Sequence, residues 1–186
     1  GGGGGSDSAP APAGGGAGPI VLNCPAGYVQ VPALAGYATT DFCVAKYEMK
    51  NNSGAQSEAA GSPWVGVDRP TAISACTALG AGYDMISNTQ WQTIARNIAD
   101  TAGNWSTGTA YDVELSRGHS DNSPGSTLVA NIDDAQGCDG TGQTCSNVVW
   151  DNQRRTHTLS NGQVVWDIGG NVWEWVKDDN SASQGA

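Results

Sequence analysis

The chain has 186 residues, enough for one domain with a hydrophobic core and too few for two domains of ordinary size. Acidic residues outnumber basic ones by 18 to 8, giving a net charge of −10, and the basic residues are scattered, which argues against nucleic acid as a partner. The apolar runs are far shorter than the roughly 20 residues that cross a bilayer, so no membrane span is predicted.

Residues 1–18 have the composition of a flexible tether, because they contain no large apolar side chain that would offset the entropy of ordering. Such a leader resembles the spacer after the lipid-modified cysteine of bacterial lipoproteins. No cysteine precedes Gly1, and a cloning linker or a generic disordered terminus explains the composition equally well. The folded domain is expected over residues 19–176, with a polar tail at residues 177–186.

Two segments near the start of the domain are typical of short β-strands. They are YVQVP at residues 28–32 and FCVAKYEM at residues 42–49, separated by a loop rich in Gly and Thr. A helix is predicted next. Pro70 occupies a favoured first-turn position, Ile73, Cys76 and Leu79 recur at three-residue spacing, and Gly80 is a suitable C-terminal stop.

The clearest helix begins after Ser87, which forms a capping box with Gln90. Its apolar residues follow one face of a helix at i, i+3, i+4 and i+7: Trp91, Ile94, Ala95 and Ile98. This face is predicted to pack into the core.

The later part of the chain combines a long polar stretch with a hairpin. Residues 103–142 carry only scattered apolar side chains, a length typical of functional loops or bound ions. THTLS and QVVWD then flank Asn161 and Gly162, the dipeptide that best supplies the two positive φ angles of a type I′ turn. A β-hairpin is therefore predicted.

The five cysteines suggest disulfides rather than a metal site, because no C-x-x-C pair occurs. Cys138 and Cys145 flank a Gly-rich loop, which favours a local disulfide in an oxidising compartment. Cys24 and Cys43 are candidates for a second disulfide. Cys76 is interpreted as a small buried thiol without a disulfide partner.

The stretch W-D-I-G-G-N-V-W-E-W-V at residues 166–176 resembles the most characteristic motif of the formylglycine-generating-enzyme, or sulfatase-modifying-factor, family. Upstream, FCVAKYEMKN resembles the family's strand F-x-x-x-x-Y-E-V-T-N, and RPTAISACTALG and YDMISNTQWQTIAR resemble its two helices, all in family order. The resemblance covers residues 28–176. It implies an α+β, loop-rich fold of the C-type-lectin-like kind, with two helices and short antiparallel strands.

The sequence departs from the family pattern in two places. Residues 87–92 read SNTQWQ where the family has an acidic T-E-A-E-W-E run, so the helix cap is retained and the charges are lost. The sequence also stops ten residues after Val176, where family members continue into a closing R-G-G-S-W and G-F-R region, which in formylglycine generators includes the copper-binding cysteine pair. We interpret the chain as a fragment; the alternative is that another segment completes the core.

The loop from Asp167 to Glu174 has the features of a calcium site, because two carboxylates supply hard oxygens and glycines let carbonyls turn inward. By the resemblance, the ligands are the side chains of Asp167 and Glu174 and the carbonyls of Gly170 and Val172. Without the resemblance, the same loop is an aromatic core hairpin with two surface acids.

A second calcium site is implied at Asn131 and the carbonyl of Ile132, because ANI followed by two aspartates resembles the family's other calcium loop. The alternative is a solvated acidic loop. Trp64, Trp105 and Trp150 fall outside the clear core patterns, and aromatic rings in polar loops suit stacking on sugars or peptides. The alternative for these three is an ordinary place in the core.

His119 and His157 have no nucleophile and orienting acid in recognisable spacing, so we expect structural roles for both. The sequence therefore predicts a non-enzymatic exported domain at a bacterial outer surface, stabilised by calcium, with the tether as a candidate site of lipid anchoring. Its loops are predicted to bind or adhere to a carbohydrate, a protein or other copies of the chain. The alternative is an oxidoreductase of the family, acting on a peptide cysteine with copper or in a non-haem-iron branch, which requires residues outside this sequence.

Overall fold

A computed structural model describes residues 20–120, 125–130 and 150–178 of the chain. The elements in chain order are β1 (Tyr28–Val31), β2 (Phe42–Ala45), β3 (Met49–Asn51), β4 (Ala55–Ser57), α1 (Arg69–Thr77), α2 (Asn88–Ala99), a short 3-10 helix (Ala102–Asn104), β5 (Thr156–Thr158) and β6 (Val164–Trp166). The strands pair antiparallel in consecutive twos, β1 with β2, β3 with β4 and β5 with β6. The architecture is thus mixed α+β with two helices and short antiparallel strands, as predicted.

The segment at residues 42–49, predicted as one strand, is divided in two. β2 ends at Ala45 and β3 begins at Met49. Between them the Lys46 N–H donates to the carbonyl of Gly27, and the Lys46 carbonyl accepts from Trp166 N–H, both at 2.9 Å. The chain bends here because Lys46 bonds to two different segments, and this bend joins the first strands to β6.

The hairpin of β5 and β6 forms as predicted, but its turn is not type I′. Gly162 has a φ of 81°, whereas Asn161 is not among the residues with positive φ. Gly162 N–H donates to the Leu159 carbonyl at 2.9 Å, and Leu159 N–H donates to Gln163 at 2.8 Å. These bonds define a three-residue loop with a single left-handed residue, the next commonest hairpin connection.

The core lies where α2 packs against the β1–β2 pair and the β5–β6 hairpin. Its members are Val29, Val31, Val44, Ile94, Ile98, Leu159 and Val165. The Ser87–Gln90 capping box is formed, so α2 begins where the sequence predicts. Ile94 and Ile98 are buried, while Trp91 and Ala95 are half-buried at the edge of the same face. Fully burying one such isoleucine contributes roughly 1.5–3 kcal/mol.

α1 differs from α2 because none of its side chains is buried. The helix is well started: Asp68 caps it by accepting from the Thr71 N–H at 2.8 Å, and proline occupies its first turn. Three of its residues, Ala72, Ala75 and Cys76, line an open cavity. Local signals therefore account for α1, and tertiary packing contributes little to it.

Cys24 and Cys43 form a disulfide, as predicted, which ties the chain before β1 to β2. Cys76 is a free cysteine, also as predicted, but it is half-buried rather than fully buried because α1 faces the cavity. Burial, followed by the charge of Asp84, raises the pKa of its thiol. Among the helices that the structure describes, none has the length and apolarity needed to cross a membrane.

Candidate functional site

A buried ion pair lies directly after β6. Arg155 donates from Nε and Nη2 to the two carboxylate oxygens of Asp167, at 2.7 and 2.6 Å. The guanidinium carbon also lies 5.3 Å from the centre of the Trp166 ring. Two parallel hydrogen bonds fix the orientation of both groups. The pair therefore sets the direction in which the chain leaves the hairpin.

The loop that follows crosses residues 117–119 at close range. Gly118 and Gly170 have φ angles of 70° and 82°, a conformation that favours glycine. A Cβ at Gly118 would collide with the Gly169 carbonyl, and one at Gly170 would collide with the carbonyl of His119. Only glycine permits this approach, which brings Asn171 N–H within 2.8 Å of the His119 carbonyl oxygen.

Asn171 connects this loop to a buried carboxylate. Its Oδ1 accepts from the Leu128 N–H at 2.8 Å, and its Nδ2 donates to Oε2 of Glu48 at 2.6 Å. Glu48 is only 9% exposed, although it lies in the bend between β2 and β3. The Asn171 amide is thus held by backbone on one side and orients the Glu48 carboxyl group on the other.

The surroundings of Glu48 favour its protonated form. Its pKa is raised to about 8, first by burial and then by the charge of Asp167, with a further increase from Glu174. The hydrogen bond from Asn171 and the charge of Lys50 act in the opposite direction. Burial dominates because removing a carboxylate from water disfavours its charged form.

Lys50 lies beside this carboxyl group and is 4% exposed. Its Nζ donates to the backbone carbonyl of Glu48 at 2.7 Å. Burial lowers the pKa of Lys50, whereas the charges of Glu48 and Asp167 raise it. The charged groups that act on Glu48 and Lys50 also include the carboxylates of Glu174 and Glu58 and the guanidinium of Arg155.

Glu174 combines an exposed surface with a desolvated carboxyl group. By accessible area its side chain is exposed, yet it lies in a cavity wall with protein around it. Desolvation raises its pKa to about 7, a hydrogen bond with Trp91 lowers it, and the charge of Asp167 raises it. The net effect of these surroundings is to raise the pKa of Glu174.

An open cavity of about 620 Å³ lies between α1, β2 and the loop after β6. Its lining is mainly apolar, with both Glu48 and Glu174 contributing. The aromatic residues in its walls are Tyr28, Tyr47, Tyr83, Trp64, Trp166, Trp173 and Trp175. Trp173 is fully exposed and Trp175 is 51% exposed, so the cavity opens through an aromatic surface. Its volume lies in the ordinary range for small-molecule sites.

Two residues in the cavity wall carry a buried polar atom without a hydrogen-bond partner in the part of the chain that the structure describes. They are Glu48, through Oε1, and Trp166, through Nε1. One is an acceptor and the other a donor. Such buried groups are normally satisfied, because leaving one unpaired costs roughly 1–3 kcal/mol. Both atoms are themselves inaccessible to solvent, so they lie behind the cavity surface.

In the predicted calcium loop, Arg155 donates to both carboxylate oxygens of Asp167. Within the described ranges, no group of three or more His, Cys, Asp or Glu side chains is arranged to hold a metal ion. A calcium site formed by Asp167, Gly170, Val172 and Glu174 stays a prediction. The other predicted residues Asn131, Ile132, Cys138 and Cys145 lie outside the described residues.

Of the three tryptophans predicted to bind ligand, Trp64 lines the cavity. Trp105 and Trp150 lie elsewhere, and their indole N–H groups donate to backbone carbonyls. Trp105 donates to Ala99 at 2.8 Å, and Trp150 donates to Asn104 at 3.3 Å. Of the three, the structure thus places Trp64 alone in the cavity wall.

Each histidine ring contacts a backbone carbonyl. His157 Nε2 lies 2.9 Å from the Ser116 oxygen, and His119 Nε2 lies 3.3 Å from the Ser126 oxygen. Burial lowers the pKa of His157 to about 4, opposed by the Ser116 bond and assisted by Arg154. His157 is therefore neutral at physiological pH and supports β5 as a hydrogen-bonding residue.

Sequence reasoning did not single out four residues of this site, namely Glu48, Lys50, Arg155 and Asn171. The sequence pattern could have indicated two of them. Val44, Glu48 and Lys50 are separated by even numbers of residues, so a strand would place them on one face, and all three are buried. Arg155 and Asn171 had no local signal, since their partners lie in distant segments.

Comparisons with family models, with curated proteins and with solved structures found no match. The family resemblance therefore stays a prediction.

Proposed function

We propose that this chain is a non-enzymatic, exported ligand-binding domain whose carbohydrate or protein ligand occupies the cavity beside Trp64. The observation that carries the proposal is the cavity itself, which combines aromatic walls with a small number of polar groups, a combination typical of binding sites. Trp64 was selected from the sequence as a ligand-stacking residue, and its position in the cavity wall supports that role.

Export and the lectin-like scaffold belong to the same proposal. The Cys24–Cys43 disulfide supports export, because such bonds persist in oxidising compartments. Two helices and short antiparallel strands are compatible with a C-type-lectin-like fold, which the family resemblance implies. Lipid attachment and self-association would place several such domains on one surface.

Binding is tested on immobilised glycan and peptide arrays, with the wild-type chain and the variant Trp64→Ala. We expect the wild type to retain at least one class of ligand and Trp64→Ala to lose it, because the ring is part of the cavity wall. Tyr111→Ala is the matched control. Tyr111 is an aromatic residue, 57% exposed, and lies outside the cavity. Blank arrays, with and without calcium, would contradict the proposal.

Calcium requires its own test, since a bound ion would compete with Arg155 for Asp167. A higher midpoint of thermal unfolding after calcium is added to EGTA-dialysed protein would support the predicted site. An unchanged midpoint at millimolar calcium would remove calcium from the proposal.

A further inference from the structure

We propose that the side chains of Lys50 and Asn171 react with each other to form an amide cross-link inside the folded chain, with Glu48 transferring the protons. The bond would connect β3 to the loop that follows β6. This inference goes beyond the proposed function and does not depend on the ligand of the cavity, because the three reacting residues belong to one chain.

Lys50 supplies the nucleophile. The residue is only 4% exposed, and its Nζ donates to the backbone carbonyl of Glu48 at 2.7 Å. Burial lowers the pKa of this amine, which increases the share of its neutral form. Only the neutral form has an electron pair available for attack on a carbonyl carbon, so a desolvated lysine is an activated nucleophile.

Asn171 supplies the electrophile, and its amide is held in place from several sides. Oδ1 accepts from the Leu128 N–H at 2.8 Å, while Nδ2 donates to Glu48 at 2.6 Å and to the Leu128 carbonyl at 3.2 Å. The backbone is fixed as well, with a φ of 60° and an N–H that donates to the His119 carbonyl at 2.8 Å. When an amine attacks Cγ, negative charge develops on Oδ1, where the Leu128 N–H stabilises it.

Glu48 connects the two reacting side chains. Its backbone carbonyl accepts from Lys50 Nζ, and its Oε2 accepts from Asn171 Nδ2. Glu48 and Lys50 stand on either side of Met49, so the alternation of an extended chain places their side chains on one face, and both are buried. The lysine stem has four rotatable carbons, and rotation about them brings Nζ from the Glu48 carbonyl towards the Asn171 amide.

The reaction balances without an oxidant or a further reactant. The neutral Lys50 amine attacks Asn171 Cγ, which forms the Nζ–Cγ bond and moves the carbonyl electron pair onto Oδ1. When that pair returns, the Cγ–Nδ2 bond breaks. Glu48 gives its proton to the departing Nδ2, which leaves as ammonia, and takes one proton from Nζ. An amine and a primary amide thus become a secondary amide and ammonia.

The surroundings of Glu48 suit this transfer of protons. Burial raises its pKa to about 8, so at neutral pH the carboxyl group holds the proton that it gives to the leaving nitrogen. Its Oε1 is inaccessible to solvent and has no hydrogen-bond partner among the described residues, which leaves this oxygen to accept the proton from Nζ. Exclusion of water also protects the Asn171 amide from hydrolysis.

The test is the mass of the purified wild-type chain after reduction and denaturation. We expect a mass lower by one ammonia than the mass calculated from the sequence. A tryptic digest should then contain one branched peptide that joins the segments of Lys50 and Asn171, without cleavage after Lys50. Fragmentation of this peptide locates the bond.

Two variants test the roles of the residues. Lys50→Arg keeps a positive charge but lacks the amine, and Glu48→Gln lacks the proton donor, so both should have their full calculated masses. The matched controls are Lys46→Arg and Glu58→Gln, which should still lose ammonia. Lys46 Nζ lies over the ring of Tyr47, and Glu58 influences Lys50 by its charge only. Circular dichroism verifies that each variant is folded.

A full calculated mass for the wild type would overturn this inference. An Asn–Gly pair such as Asn161–Gly162 also loses ammonia when it cyclises, so a lowered mass without the branched peptide would overturn it too. If Lys50→Arg or Glu48→Gln does not fold, the mass and the peptide map of the wild type decide. None of these measurements includes a ligand, so their failure leaves the proposed function intact.

Discussion

Arg155 and Asp167 form an ion pair with two parallel hydrogen bonds, and their side chains are 0% and 2% exposed. The pair joins the start of the hairpin to the loop that forms one wall of the cavity. Replacement of Asp167 by Asn removes this carboxylate from the buried Arg155 guanidinium. We expect a loss of about 3–5 kcal/mol in the free energy of unfolding, measured by urea denaturation.

The control for this prediction is Asp84→Asn. Asp84 pairs with Lys177, but the two side chains are 37% and 50% exposed. Solvent screens such a pair, so the urea midpoint should not change measurably. Equal effects of the two substitutions would contradict the role assigned to burial.

Stability should fall as pH rises from 6.5 to 8. The pKa of Glu48 is about 8 in the folded chain and has an ordinary value of 4.5, so the folded state holds the proton more strongly over that interval. Raising the pH removes this advantage, by at most about 1.4 kcal/mol per pH unit. Glu174 acts in the same direction up to about pH 7. Thermal unfolding at a series of pH values measures the slope.

Glu48→Gln should abolish the decrease between pH 7 and 8. His157 does not interfere there, because its pKa is lowered from 6.5 to about 4, and its contribution is lost only as pH falls through that lower interval. A slope that persists in Glu48→Gln above pH 7 would assign the effect to another group.

Gly118→Ala should destabilise the fold far more than Gly82→Ala. Both glycines have positive φ, 70° and 87°, so the conformational strain is similar. A Cβ at Gly118 meets the Gly169 carbonyl, whereas a Cβ at Gly82 meets nothing within 4 Å. We expect about 1 kcal/mol for Gly82→Ala and several times that for Gly118→Ala, measured by urea unfolding. Similar losses would show that the loop crossing adjusts to a methyl group.

The parts of the fold that the sequence predicted are those with local causes. The Ser87–Gln90 capping box defines the start of α2 within four residues. The β5–β6 hairpin is likewise predicted by two short strand segments on either side of a turn sequence. The predicted type I′ turn was wrong because Asn161 keeps a negative φ and Gly162 alone takes the left-handed conformation. Local composition does not distinguish these two loop types.

The candidate site was only partly predictable because its contacts span the chain. Glu48 and Asn171 are 123 residues apart, yet their side chains are hydrogen bonded. The WDIGGNVWEWV motif covers the loop after β6 and contains Asp167 and Glu174. The motif gave no indication that Arg155 would form an ion pair with Asp167, because this pair depends on how the hairpin folds onto the loop.

Removal of the disulfide should cost about 3 kcal/mol in the free energy of unfolding. Cys24 and Cys43 are 19 residues apart, and opening a loop of this size releases conformational entropy in the unfolded chain. The double variant Cys24→Ala and Cys43→Ala tests this by urea unfolding. Cys76→Ala is the control, since Cys76 is a free, half-buried thiol. A reductant should lower the free energy of unfolding of this variant as much as it lowers that of the wild type.

The absence of buried side chains in α1 has a kinetic consequence. α2 exposes its amide hydrogens only when Ile94 and Ile98 leave the core, whereas α1 opens by local fraying. Deuterium should therefore enter α1 well before α2. A molecule seated between α1 and β2 would give this helix a surface to pack against, and slower isotope uptake confined to α1 would then mark occupancy of the cavity.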